Sequence, residues 1–257
     1  MTNALPYLDS DRPVAIAHRG FSTEGLENSL TAFRAAIELG YGYVETDVHT
    51  TADGVALVFH DATLDRVTGV RGAISSLTAG QVAAARINGR EPIPTLAEMV
   101  TALPGVRINL DVKDEGSVAT VAAAIEQYSL HDRVCVASFS DRRRRAVLRR
   151  LSRRTASSAG QAGTAAFVLL GPWLPRFLMR RLLSDVDCLQ VPLKFKFIRV
   201  VTPGSVARAH ALGLKVHVWT VDDPELMHRL FNLGVDGVMT DRADVLAAVM
   251  RERGYWS

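Results

Sequence analysis

The sequence predicts an α/β fold of the TIM (β/α)8 barrel class, formed as a single domain by residues 1–257. Eight short apolar segments with strand character alternate with helical segments along the chain. A length of 257 residues is the size of one such barrel. The main competitor, an open doubly wound sheet, prefers a G-x-G-x-x-G turn after its first strand. The segment HRGFSTEG at 18–25 is not such a turn.

The predicted elements follow one another in barrel order. The strands cover 14–17, 43–47, 107–112, 133–139, 155–159, 186–191, 215–221 and 237–240, the fifth of them with a weak pattern. The clearest helices cover 117–127, 141–151, 203–212, 224–233 and 243–253. Another is opened by residues 27–29 and ended by Gly40, and a further one starts at Thr95. Thr95 and Glu98 have the spacing of a capping box.

The stretch 43–61, YVETDVHTTADGVALVFHD, predicts a strand, a turn at Asp53–Gly54 and a returning strand. Side chains alternate along a strand, so Glu45 and Asp47 share a face. A turn centred between Asp53 and Gly54 would place Asp47 opposite His60. This hairpin opens an insertion after the second strand, about 48–94, which is irregular from 62 onward and carries a short helix near 77–85.

Composition favours an ordinary globular protein without a nucleic-acid partner. The net charge is +3, and the Arg excess is concentrated in 142–145 and in the pairs 149–150 and 153–154, which indicates a basic helix face. Cys135 and Cys188 lie in apolar runs without C-x-x-C spacing. Neither a signal peptide pattern nor a run of about 18 apolar residues is evident, so we expect a cytoplasmic protein.

Chemistry-bearing side chains collect at the predicted ends of strands one to three, where TIM barrels place their active sites. Glu45, Asp47 and Asp111 form an all-oxygen cluster, which suits one divalent cation, Mg²⁺ or Ca²⁺, with Mn²⁺ as an alternative. Three carboxylates pressed together repel one another unless a cation lies between them. A lone Glu-x-Asp pair, by contrast, is usually a solvated strand end.

Two cations and two histidines accompany these carboxylates. Arg19 and Lys113 suit a bound phosphate. His18 and His60 titrate near neutrality and can act as an acid–base pair. The combination predicts phosphoryl transfer to water or to a hydroxyl group. Trp219, on strand seven, either packs in the core or lines the substrate.

The remaining candidates have plain structural interpretations. Asp53 and Asp61 are interpreted as turn formers, and His49 and His217 as structural or exposed residues.

The chain resembles the glycerophosphodiester phosphodiesterase family in several ordered blocks. These are HRG at 18–20, LENS at 26–29, ETDVH at 45–49, DGVALVFHD at 53–61, IPTLAE at 93–98, LDVK at 110–113, VWTVDD at 218–223 and GVDGVMTDR at 234–242. The resemblance implies metal-dependent cleavage of glycerophosphodiesters to sn-glycerol 3-phosphate and an alcohol.

The same resemblance implies a role for each matching residue. It makes His18 and His60 the acid–base pair, makes Arg19 and Lys113 the phosphate ligands, and places Trp219 at the glycerol end. Glu45, Asp47 and Asp111 would bind the metal, although the family usually has Glu where this chain has Asp111, whose reach is one methylene shorter.

The segment 165–183, AAFVLLGPWLPRFLMRRLL, lies outside these blocks. It is apolar, interrupted by Pro172 and Pro175, and carries arginines at its end. It is interpreted as a helix packed over the barrel or a dimer contact, or as a lid or interfacial lipid contact. The lipid interpretation would favour a lysophospholipid substrate.

Two alternatives to glycerophosphodiester hydrolysis follow. One is a lysophospholipase D or sphingomyelinase D-like activity on lipid phosphodiesters. The other is a barrel that binds phosphodiesters without turnover. The oligomeric state is left open by the sequence.

Overall fold

The structure is a computed structural model that describes residues 5–256. Residues 1–4 and 257, which the single-domain prediction includes, lie outside the described residues. Within 5–256 the strands are β1 Val14–His18, β2 Tyr43–Thr50, β3 Ala56–Val58, β4 Arg86–Ile87, β5 Glu91–Pro92, β6 Arg107–Val112, β7 Val134–Ala137, β8 Ala156–Ser157, β9 Cys188–Val191, β10 Lys194–Phe195, β11 Ile198–Arg199, β12 Lys215–Val218 and β13 Gly237–Thr240.

The helices of the same part of the chain alternate with the barrel strands. They are α1 Leu30–Glu38, α2 Asp65–Thr68, α3 Ala79–Val82, α4 Leu96–Ala102, α5 Ser117–Gln127, α6 Asp141–Leu148, α7 Gln161–Leu170, α8 Arg176–Leu182, α9 Pro203–Ala211, α10 Pro224–Leu233 and α11 Ala243–Glu252, with short 3₁₀ turns at Pro6–Leu8 and Ile74–Ser76.

Eight parallel strands form a nearly closed barrel in the order β8-β7-β6-β2-β1-β13-β12-β9. A parallel bridge between Ser158 and Cys188 joins the two ends of this order, next to a hydrogen bond from Ala159 N to Cys188 O (3.0 Å). The TIM-barrel prediction is confirmed. All eight predicted strands are present, and four of them are shorter than their sequence patterns.

Alternation along each strand sorts side chains between two apolar regions. Ala15 and Ala17 face the layer between strands and helices, which contains the main hydrophobic core. Val14 and Ile16 face the barrel interior, where they cluster with Tyr7 and Cys135. The inward series on the first three strands therefore ends in polar residues at one rim of the barrel. This alternation is what brings the site together.

The insertion after β2 is a compact excursion with its own apolar cluster. Its buried side chains are Leu26, Leu57, Phe59, Leu64, Val67, Ile74, Val82, Ala85, Ile87 and Ile93. The helix expected near 77–85 is the four-residue α3, and α2 and the β4–β5 hairpin were not predicted. The capping box of Thr95 and Glu98 at the start of α4 is confirmed.

The predicted pairing of the β2–β3 hairpin is wrong by one residue. His49 pairs with Leu57 and Thr50 with Ala56, so Phe59, not His60, lies opposite Asp47 and donates its N–H to Asp47 O (3.0 Å). The loop has three residues rather than two, because Gly54 adopts φ +84°. His60 lies just past the end of β3 instead of in the ladder.

Arg144 is fully buried, although the sequence pattern predicts an exposed basic helix face. Its guanidinium donates to Ser157 Oγ (2.7 Å), to Asp185 Oδ2 (2.9 Å) and to Asp141 Oδ1 (3.3 Å). The neighbouring Arg142 is exposed and contacts Glu115 at 2.7 Å. Part of the Arg excess therefore supports the fold rather than a free basic surface.

We expect Arg144→Met to lower the free energy of unfolding by about 3 kcal/mol, because two carboxylates lose a buried partner. Arg142→Met on the same helix is the matched control and should cost under about 1 kcal/mol, since an exposed ion pair contributes little. Urea denaturation of both variants measures the difference. Equal losses would contradict a structural role for the buried arginine.

Candidate active site

The rim at the carboxyl ends of the barrel strands surrounds an open cavity of about 200 Å³. All eight predicted site residues line it: His18, Arg19, Glu45, Asp47, His60, Asp111, Lys113 and Trp219. Polar and apolar residues of later strands complete its wall, namely Asn109, Ala137, Ser138, Phe139, Ser158, Ala159, Gln190, Thr220 and Met239. The structure thus brings together every residue that the sequence singled out.

Three carboxylates occupy the floor of this cavity because two neighbouring strands run in register. Asp47 on β2 pairs with Asp111 on β6, and Glu45 lies two residues before Asp47 on the same face. Glu45 and Asp47 are buried, at 4% and 1% exposure. Carboxylates at this depth need compensating positive charge.

Lys113 and Arg19 supply part of that charge. Lys113 Nζ lies 2.8 Å from Asp47 Oδ1 and 2.7 Å from Asp111 Oδ2, so the ammonium group bridges the two strands. Arg19 Nε lies 3.2 Å from Asp47 Oδ2. Burial acts to raise the pKa of Asp47, but Lys113 and Arg19 outweigh it and hold that pKa below its ordinary value. Asp47 is therefore an ionised, fully compensated carboxylate.

Glu45 is not compensated in the same way. Burial and the neighbouring Asp47 raise the pKa of Glu45 to about 8. Its only cationic contact among the described residues is His18, whose Nε2 lies 3.7 Å from Glu45 Oε2. The site is thus short of positive charge at Glu45.

The residues present fit a hard divalent cation. Within residues 5–256, no three acidic, histidine or cysteine side chains lie in an arrangement that could hold a metal ion as they stand. Asp111 Oδ1 is nevertheless buried without a hydrogen-bond partner, and Glu45 lacks a full counter-charge. The available donors are all carboxylate oxygens, the ligands that Mg²⁺, Ca²⁺ and Mn²⁺ prefer. Lys113 contacts two of the three carboxylates, Asp47 and Asp111.

The two histidines share one hydrogen-bonding arrangement. His18 Nδ1 lies 2.6 Å from Asp241 Oδ1, at the end of β13, and His60 Nδ1 lies 2.6 Å from Asp61 Oδ1. A carboxylate at Nδ1 fixes the orientation of the ring and leaves Nε2 for other chemistry. Burial opposes protonation of His18, but the Glu45 carboxylate and the bond to Asp241 raise its pKa overall.

Asp61 is more than the turn former that the sequence suggests. Besides its bond to His60, it accepts from Arg66 Nε at 2.5 Å, and Arg66 Nη2 donates to Glu27 Oε1 at 2.6 Å. Glu27 in turn accepts from Arg19 Nη1 at 3.0 Å. This chain of ion pairs ties the insertion to the end of the first strand.

His49 is buried and structural, as one of its two interpretations expected. Its Nδ1 lies 2.8 Å from Asp114 Oδ2 and its Nε2 lies 3.1 Å from the backbone oxygen of His60. His49 therefore anchors the backbone that presents His60. His217 is buried in the barrel, where burial lowers its pKa to about 4.

Sequence reasoning missed several residues that shape the site. Asn28 is buried with φ +59°, donates to Asp47 Oδ2 at 3.1 Å and accepts from Thr46 Oγ1 at 2.8 Å. Gln190 Nε2 donates to Asn109 Oδ1 at 2.9 Å across the cavity floor. Asn109 lies two residues before Asp111, and this alternation was a usable signal. No local signal marks Asn28 as a partner of Asp47.

Two aromatic rings border the cavity mouth. Trp219 packs edge-on against Phe139, with ring centroids 6.0 Å apart. Phe139 is half exposed, and Lys113 Nζ lies 5.6 Å from its ring centroid. An apolar wall thus stands beside the charged floor, and Trp219 is part of that wall.

Gly20 sets the turn that follows the first strand. Its φ of +85° belongs to the left-handed region, and a Cβ there would lie 2.6 Å from the backbone carbon of Ala32. Phe21 N donates to Ala32 O at 2.8 Å, so the turn packs directly on α1. Only glycine fits this position, which places Arg19 at the cavity.

Comparison with known proteins gives the same family from sequence and structure. The model of the glycerophosphoryl diester phosphodiesterase family matches residues 18–245. A Mycobacterium tuberculosis protein named probable glycerophosphodiester phosphodiesterase 2 is 43% identical, over 95% of this chain and 92% of its own length. A mouse lysophospholipase D is 25% identical, over 88% of this chain and 82% of its own length.

The fold also matches solved structures. An Oleispira antarctica phosphodiesterase, in complex with the product sn-glycerol-3-phosphate, superposes with a TM-score of 0.77 at 24% identity, covering 93% of this chain and 97% of that one. At this identity the likeness shows the fold alone. The family model and the mycobacterial relative show more: the chain belongs to the glycerophosphoryl diester phosphodiesterase family and is a phosphodiesterase.

Proposed function

We propose that this enzyme hydrolyses glycerophosphodiesters to sn-glycerol 3-phosphate and an alcohol, using His18 and His60 as its acid–base pair and one divalent cation. One observation carries the proposal. Both imidazoles have Nδ1 held by a carboxylate, and both line one cavity with two cationic side chains and three carboxylates. That set provides proton transfer and charge stabilisation for a phosphoryl group.

The cationic side chains bind and orient the substrate phosphate. Arg19 and Lys113 lie at the cavity floor, where their donors can contact the non-bridging phosphate oxygens and stabilise the charge that develops on them. Trp219 and Phe139 provide an apolar surface for the carbon skeleton of the glycerol moiety. The substrate is then held with its scissile bond between the two histidines.

Proton transfer completes the reaction. One histidine removes a proton from the nucleophile at Nε2, and the other protonates the leaving alkoxide. Asp61 and Asp241 keep both rings in place during these steps. Water and the glycerol 2-hydroxyl, the latter through a cyclic phosphate, are both compatible nucleophiles.

Glu45, Asp47 and Asp111 would hold the cation, Mg²⁺, Ca²⁺ or Mn²⁺. When bound, such an ion supplies Lewis-acid polarisation of a phosphoryl oxygen. Lys113, which contacts both Asp47 and Asp111, would share the neutralisation of these carboxylates with the ion and would be available to the phosphate. Asp111 has the shorter side chain than the glutamate usual at this position, and its unpartnered Oδ1 supports a role as an ion ligand.

A lysophospholipase D activity is the second candidate function. It is favoured by the exposed apolar side chains of α7, α8 and their connection, among them Trp173 and Phe177, and by the mouse relative. Turnover of lysophosphatidylcholine compared with glycerophosphocholine distinguishes the two substrates. Turnover of either diester excludes a barrel that only binds phosphodiesters.

We expect His18→Ala and His60→Ala each to lower kcat on glycerophosphocholine by about a hundredfold or more, because each removes one proton-transfer group. Steady-state kinetics of purified variants measure the effect. His228→Ala is the matched control, since this histidine lies on α10 outside the cavity and contacts Glu252. A rate near that of the wild type for either variant would remove that histidine from the mechanism.

We expect excess EDTA to lower the turnover of glycerophosphocholine by about a hundredfold, because the carboxylates lose the ion that they hold. Adding back Mg²⁺, Ca²⁺ and Mn²⁺ in separate assays identifies which ion restores the rate. The same ion should raise the melting temperature of the wild type but not of Asp47→Asn, since an ion that binds the folded state stabilises it. Full activity in excess chelator would contradict the metal proposal.

A further inference from the structure

Exposed apolar side chains are concentrated in two consecutive units of the barrel. Within residues 5–256, nine of the twelve large apolar side chains that are exposed lie either on α7, α8 and their connection or in the β10–β11 hairpin. Phe197 is 99% exposed and Trp173 is 87% exposed. Folding does not benefit from such exposure, which is typical of a surface that contacts a partner or a membrane.

The β10–β11 hairpin, residues 194–199 with the sequence KFKFIR, stands at the catalytic end of the barrel. It follows β9, whose Gln190 lines the cavity and whose Val191 accepts a hydrogen bond from Trp219 N (3.1 Å). Only Pro192 and Leu193 separate β9 from the hairpin. The hairpin therefore rises next to the cavity mouth.

The hairpin has one apolar and one cationic face. Phe195 pairs with Ile198, and Lys194 pairs with Arg199. Cross-strand partners share a face and neighbours along a strand point to opposite faces, so the apolar pair lies on one side and the cationic pair on the other. Phe197 forms the tip. All these side chains are exposed or half-exposed.

The charge around these two segments is strongly one-sided. From 142 to 221 the sequence has only two acidic residues, Asp185 and Asp187. Asp185 is paired with Arg144 and Arg145, and Asp187 contacts Arg154. No free carboxylate of this region is therefore left to neutralise the lysines and arginines of the hairpin and of α8. Such a surface is complementary to an anionic one.

We propose that the β10–β11 hairpin, with the exposed apolar side chains of α7 and α8 beside it in the barrel order, docks this enzyme onto an anionic phospholipid bilayer. Phe195, Phe197 and Ile198 enter the interfacial region, and Lys194 and Arg199 contact the headgroup phosphates. The cavity mouth then lies close to the membrane surface. No helix of residues 5–256 is long and apolar enough to cross a bilayer.

Co-sedimentation with lipid vesicles tests the proposal. The wild type should bind vesicles of equal parts phosphatidylglycerol and phosphatidylcholine, bind pure phosphatidylcholine vesicles weakly, and lose binding as the salt concentration rises. The double variant Phe195→Ser/Phe197→Ser should bind the anionic vesicles at least about tenfold more weakly, because it loses the apolar anchor. Tyr128→Ser, an exposed aromatic outside both segments, is the matched control and should bind like the wild type.

The contribution of charge to vesicle binding is tested with a matched pair of variants. Lys194→Gln/Lys196→Gln/Arg199→Gln should lose selectivity for anionic vesicles, whereas Arg149→Gln/Arg150→Gln/Arg153→Gln, which removes equal charge near the end of α6, should retain it. All hairpin variants should hydrolyse soluble glycerophosphocholine at the wild-type rate, which shows that they fold. The vesicle-binding test is independent of the catalytic proposal, because binding is measured without substrate.

Three results would overturn the inference. The first is failure of the wild type to bind anionic vesicles. The second is loss of binding only in Trp173→Ser/Phe177→Ser, which would move the contact from the hairpin to α8 and its connection to α7. The third is a concentration-dependent dimer that Phe195→Ser/Phe197→Ser dissociates, which would make a second copy of the chain the occupant of this surface.

Discussion

The compensation of one buried carboxylate, Asp47, organises the catalytic end of this barrel. Asp47 is almost completely buried and ionised, so it requires partners from several elements at once. Lys113 reaches it from the end of β6, Arg19 from the turn after β1, and Asn28 from the loop before α1. The need to neutralise Asp47 brings three separate stretches of sequence together around one cavity. Core packing alone does not require that alignment, because apolar residues fill the barrel interior away from the catalytic rim.

Much of the fold could be read from the sequence, because its signals are local. Strand and helix periodicity, the capping box at Thr95 and the inward alternation of Glu45 and Asp47 all depend on neighbouring residues. The predicted register of the β2–β3 hairpin was wrong because register depends on loop length. A three-residue loop with Gly54 in the left-handed region shifts every pair by one residue. The β10–β11 hairpin was missed because its apolar and charged residues resemble an ordinary surface segment.

The parts of the site that sequence reasoning did not assign depend on contacts between distant residues. Asp241 supports His18 across 223 positions of the chain, and His49 is linked to Asp114 across 65. Arg144 looks like one of four equivalent arginines, but only this one points into the gap beside β8 and becomes buried. Tertiary geometry selects one member of a uniform run, and composition contains no information about which.

The insertion has a further consequence for how the enzyme loses function. His60 is carried by an excursion whose apolar cluster is separate from both barrel cores, whereas His18 belongs to a central strand. Segments with their own small core open as local cooperative units at lower free energy than the whole domain. The two halves of the acid–base pair therefore have different local stabilities. Gentle heating should therefore open the excursion locally and abolish catalysis reversibly. At those temperatures the barrel should still retain its native circular dichroism.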